Sequence, residues 1–112
     1  MGSMGMKFYK NLYIGDTVKK PHKIMKKLKK DKILPSIYVI VCMEGKRQLE
    51  IYHSLMLQQW YYKEASPAVI GIAGSKEEAF DLIQKIAQEA VDTTGAADLT
   101  AYLALDDRNN FK

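Results

Sequence analysis

Apolar and polar positions fall into short blocks whose spacing predicts the element order β-α-β-β-(x)-β-α-α. Phe8 to Ile14 (FYKNLYI) is rich in β-branched and aromatic residues and stops at Gly15-Asp16, the pattern of a strand. Pro21 to Lys30 reads as a short helix. Pro21 suits its first turn, where a missing N–H has no intrahelical partner, and Ile24 and Leu28, with Met25 beside them, form a narrow apolar stripe. Pro35 forbids its continuation.

Ser36 to Met43 and Gln48 to Ser54 flank Glu44-Gly45-Lys46-Arg47, and glycine at the first central position suits a type II′ hairpin turn. Closing the turn there sets Cys42 opposite Leu49, Ile40 opposite Ile51 and Tyr38 opposite His53. The first of these strands is apolar on both faces, as a central strand is. Its partner presents Gln48, Glu50 and Tyr52 on one face and is half-exposed. Leu55 to Tyr62 fits either a helical turn or an irregular crossover, and Ala65-Ser66-Pro67 resets the chain. Ala68 to Ala73 (AVIGIA) reads as a buried strand. Ser75-x-x-Glu78 is a capping box opening a helix that runs to Thr93, with Ala79, Leu82, Ile83, Ile86, Ala87, Ala90 and Val91 inward and Gly95 as its left-handed stop. Asp98 to Leu105 predicts a final short helix, and Asp106 to Lys112 a polar tail. The whole is an α+β fold, expected as a two-layer sandwich: a mixed sheet of four strands, two main helices and a short C-terminal helix.

Composition agrees with one globular domain. In 112 residues, 47% are apolar and 27% charged, a balance that disordered chains lack. The domain is placed at residues 6–106, with residues 1–5 read as an expression scar and 107–112 as the tail; there is no repeat, linker or low-complexity tract. No run approaches the roughly 20 apolar residues that span a bilayer, and no signal-peptide core is present. Cys42 is the sole cysteine, which excludes an internal disulfide and, without an export signal, points to the cytoplasm.

Net charge changes the picture. Residues 1–63 carry 13 Lys/Arg against 4 Asp/Glu, whereas residues 64–112 carry 4 against 9. Eight lysines crowd into 14 residues: Lys19, Lys20, Lys23, Lys26, Lys27, Lys29, Lys30 and Lys32, offset only by Asp31. On a helix they cover the circumference outside the Ile24/Leu28 stripe. That face is a candidate anion or nucleic-acid surface, against the plainer reading of a solvated face, whether or not it pairs with the acidic helix that carries Glu77, Glu78, Asp81, Glu89 and Asp92. Lysine outnumbers arginine 15 to 2, which argues against base-specific reading, and no nucleic-acid motif accompanies the cluster.

Three other groups of residues bear on function. Trp60, Tyr61 and Tyr62 are adjacent and cannot all face one core, so they form a candidate protein interface, unless two of them simply plug the end of the sheet. Tyr38 and His53, opposed on an apolar face, are a candidate pocket; the plainer reading is a satisfied core histidine. A Cys42–His53 dyad fails on geometry, because the two lie roughly 13 Å apart along the sheet. Gly71-Ile-Ala-Gly74-Ser75 matches no phosphate-loop pattern, and turn-and-cap chemistry explains it. His22 and His53, one cysteine, and the Asp106-Asp107 pair have no metal-ligand spacing, and no cofactor motif is present.

LYIGD, the YVIV and LEIYHS strands, the YY before a proline-containing turn and GIAGSKEEAFDLIQKIAQEA together resemble a group of short uncharacterised bacterial proteins. The resemblance implies a shared fold and carries over no functional residue. The resulting expectation is a non-catalytic domain that binds, by self-association or to a protein partner, through Trp60–Tyr62. The alternatives are a nucleic-acid accessory protein using the lysines, and a small-molecule site or enzyme near His53.

Overall fold

A computed structural model describes residues 7–29, 37–42, 48–56, 68–96, 98–104 and 110–111. The elements are β1 (Lys7–Ile14), α1 (Pro21–Lys29), β2 (Tyr38–Cys42), β3 (Glu50–His53), β4 (Ala68–Ala73), α2 (Lys76–Thr94) and α3 (Leu99–Tyr102). Four strands form one mixed sheet in the order β1-β4-β2-β3. β1 and β4 are parallel, and β2 runs antiparallel to both its neighbours, β4 and β3. The α+β class and the four-stranded mixed sheet are as the hydrophobic pattern predicts.

The predicted hairpin register is also observed, with Tyr38 opposite His53 and Ile40 opposite Ile51. The turn residues 43–47 lie outside the described residues. β2 is interior and buried from Val39 to Cys42, whereas every residue of the edge strand β3 is half-buried. β4 is buried at all six positions because it is flanked on both sides and covered on both faces.

β4 does not alternate throughout. Ile40 pairs with Gly71 but Val41 with Val69, so Ile70 is an extra residue in the ladder and forms a β-bulge. The bulge moves Ile72 onto the face of Val69, and Ala73 onto the face of Ile70. Gly71 permits it: a Cβ there would meet the Tyr13 carbonyl oxygen at 2.8 Å and Ile40 Cδ1 at 3.3 Å.

The two sheet faces have separate cores. On one, Leu28 of α1 packs with Phe8, Val39, Val41, Val69 and Ile72, and Ile24 and Met25 flank it. On the other, Ala79, Leu82 and Ile86 of α2 and Leu103 after α3 cover Tyr9, Ile40, Ile70 and Ala73. The helices therefore lie on opposite faces, in three layers and not the two expected. The reason is visible in β2 and β4, whose side chains are apolar on both faces and need cover on both.

α2 matches its forecast at both ends. Ser75 accepts from the Glu78 N–H at 3.0 Å, and Gly95 at φ 81° donates its N–H to the Val91 carbonyl at 2.9 Å. Its buried stripe is Ala79, Leu82, Ile86 and Ala90. Val91, expected inward, is 44% exposed, because it falls on the flank of the helix away from that stripe. α3 is shorter than forecast. Asp98 caps it by accepting from the Ala101 N–H at 3.2 Å, and Ala104 at φ 53° turns the chain away. Near the end of the chain, Asn110 donates to the Ala104 carbonyl at 2.8 Å, and Phe111 bridges to Tyr9 with the two rings edge-on at 5.9 Å.

Candidate functional site

The lysine face is carried by α1 and the turn before it. Its inward positions are Ile24, Met25 and Leu28; its outward positions are His22, Lys23, Lys26 and Lys27, every one exposed. Lys19 and Lys20 extend the same exposed charge ahead of the helix. The side chain of Lys29, and Lys30 and Lys32 entirely, lie outside the described residues.

Among the described residues of α1, nothing balances this charge. No acidic residue occupies the first turn of α1. Its N-terminal carbonyl acceptor is Lys20, whose oxygen takes the N–H of Lys23 at 3.0 Å and of Ile24 at 3.3 Å. A lysine ammonium has no acceptor for the free N–H groups at a helix N-terminus, and cations at this end oppose the helix dipole. Lys20 also sits at φ 56°, a left-handed backbone that a bulky residue before proline rarely adopts.

Nor does the acidic helix. α2, with Glu77, Glu78, Asp81, Glu89 and Asp92, packs on the opposite sheet face. No described carboxylate pairs with Lys19, Lys20, Lys23, Lys26 or Lys27. The described parts of α1 and α2 therefore do not face each other; the sheet stands between them.

Two of the α2 carboxylates are committed elsewhere. Glu78 accepts from the Gly74 N–H at 2.7 Å, the Thr17 hydroxyl at 2.7 Å and the Thr17 N–H at 3.0 Å, with the Asp16 N–H nearby as a further donor. Burial works against its ionisation, but these hydrogen bonds outweigh it and hold its carboxyl below the ordinary range. The cradle formed where β1 and β4 end in parallel, the place where an α/β protein binds phosphate, is thus filled by the chain's own carboxylate. Glu89 accepts from Tyr13 at 2.7 Å and from Tyr102 at 3.3 Å. Burial first, then this bond and charge, push the Tyr13 phenol well above its usual value. Tyr9 is raised by burial and by Tyr102, and its hydroxyl donates to the Leu103 carbonyl at 3.0 Å.

The Glu78 and Glu89 networks had only partial signals in the sequence. The Ser75-x-x-Glu78 spacing showed that Glu78 faces back over the helix start, but not that it spans to a loop 61 residues away. Tyr9 and Tyr13 share one strand face by period two, which was the available hint for the tyrosine cluster.

Tyr38 and His53 do come together, edge-on with ring centroids 5.2 Å apart. His53 Nδ1 accepts from the Leu55 N–H at 3.1 Å, which orients the ring and closes the end of β3. Tyr52 points to the other sheet face, where its hydroxyl donates to Glu50 at 3.0 Å; that bond first, then burial, raises its phenol. Tyr38, Tyr52 and His53 therefore do not share one pocket. Cys42, at the far end of β2 from Tyr38, is buried beside Ala68. Trp60, Tyr61 and Tyr62 lie outside the described residues, as do Asp106 and Asp107. Among the described residues, no three His, Cys, Asp or Glu side chains gather where a metal ion would bind, and no helix is long and apolar enough to cross a membrane.

No protein family, curated protein or solved structure matches this chain.

Proposed function

We propose that this is a non-catalytic binding domain whose working surface is the outward face of α1, and that its partner is a polyanion. One observation carries the reading: the sheet separates the basic helix from the acidic one, leaving five exposed lysines between residues 19 and 27 with no described carboxylate beside them. Like charges this close repel one another, and an external anion relieves that repulsion. The lysines add no packing that would account for them, since Ile24, Met25 and Leu28 supply the inner contacts.

Immobilised heparin, a sulfated polyanion without bases or peptide, tests the reading. The protein is expected to be retained at low salt and released as salt rises. Lys23→Glu with Lys27→Glu is expected to elute far earlier. Passage through the column unretained at about 50 mM salt, where screening is weak, overturns the proposal.

A further inference from the structure

We infer that the polyanion is the phosphate backbone of a nucleic-acid duplex, held without regard to base sequence; this rests on the reading of the α1 face given above. Three features of that face select among polyanions.

The first is its composition. The outward positions are His22, Lys23, Lys26 and Lys27, extended by Lys19 and Lys20, with no aliphatic side chain among them. Protein–protein contacts are depleted in lysine and are built around an apolar or aromatic core. Contacts with nucleic acid are the opposite: polar, wet and strongly positive. An acidic protein partner would find charge on this face but no anchor.

Lysine in place of arginine is the second feature. Its ammonium is a point charge on a flexible stem, suited to a phosphate oxygen and poor at the forked recognition of a guanine edge. Contacts of this kind position a protein on the duplex and carry no sequence information.

The third is charge density. Pro21 to Lys27 of α1 spans about 9 Å at the helical rise of 1.5 Å per residue. A duplex presents one phosphate per roughly 1.7 Å of axis, both strands counted, so about five lie along that length. A single strand offers fewer, and its binding draws on aromatic platforms for the bases. The α1 face carries no Phe, Tyr or Trp.

The test is a titration of the whole protein against a labelled mixed-sequence duplex, a second duplex of unrelated sequence, the matching single strand and poly-glutamate, at 50 and 200 mM salt. With four or five phosphates neutralised, the salt dependence of about 0.9 per phosphate predicts a 100- to 500-fold loss of duplex affinity over that range. The two duplexes are expected to bind equally, at micromolar or tighter affinity in low salt, and Lys23→Gln to lower the logarithmic salt slope by about one. Tighter binding to the single strand than to the duplex overturns the inference, as does a clear preference for one duplex sequence. Binding to poly-glutamate or heparin but not to duplex also overturns it, while the polyanion reading survives. Failure to bind any of them removes both. An unchanged melting temperature in Lys23→Gln shows that a lost contact, and not a lost fold, accounts for its slope.

Discussion

Ionised, the Glu78 carboxylate accepts from Gly74 and from both donors of Thr17, and so ties the turn after β1 to the turn after β4. Because its folded pKa is depressed below the ordinary value near 4.5, the stability it contributes is fully present above that value. It is lost as pH falls through the folded pKa. Glu78→Gln removes the charge while keeping the shape and places an amide donor against backbone donors. Hydrogen bonds to a charged group are worth about 2 kcal/mol net, so the variant should be less stable than wild type by about that much at pH 7. Urea unfolding at several pH values checks this: the gap should shrink as pH falls below the ordinary value near 4.5 and the wild type loses its contribution. A gap that stays constant throughout the acid range would show that the carboxylate's charge is not what holds the two turns together.

At the scale of an element, α2 is defined at its ends by two residues doing different work. Ser75 satisfies an N–H that would otherwise be left without a partner, whereas Gly95 supplies a left-handed backbone at φ 81°. A Cβ at Gly95 would meet nothing within 4 Å, so the cost of a side chain there is conformational and not steric. Gly95→Ala is therefore expected to lose about 1 kcal/mol, and Gly95→Asn less, since asparagine tolerates this conformation better. Denaturant midpoints for the pair decide it: equal losses would mean that the left-handed conformation is not what the glycine provides. β4 shows the same glycine logic inside a strand, where Gly71 lets the Tyr13 backbone approach and accommodates the bulge at Ile70.

Across the whole molecule, the sheet separates the two charged helices. The basic helix packs on one face and the acidic helix on the other, so the described lysines of α1 and the carboxylates of α2 lie on opposite sides. Outward lysines that pair with no described carboxylate contribute little to stability. Lys23→Gln with Lys27→Gln is accordingly expected to leave unfolding free energy within about 0.5 kcal/mol of wild type, while weakening retention on heparin. A loss of several kcal/mol in thermal or urea unfolding would instead assign these lysines a structural role.

Much of this architecture was legible in the sequence because it rests on local rules. The hairpin register follows from turn closure and from period-two alternation, since a one-residue slip would turn every apolar side chain of β3 to the wrong face. The ends of α2 follow from Ser75, Glu78 and Gly95, and the inner stripe of α1 from the spacing of Ile24 and Leu28. The lysine face was legible too, as a composition. What the chain could not show locally depends on packing between segments distant in sequence: the place of β4 between β1 and β2, the bulge that redirects Ile72, the reach of Glu78 to Thr17 and the docking of Phe111 on Tyr9. The placement of α1 and α2 on opposite faces belongs with these. Each helix carries a single apolar stripe that fits either side of a sheet apolar on both. Only the assembled sheet decides which side each takes, and with it whether the α1 lysines face the carboxylates of α2.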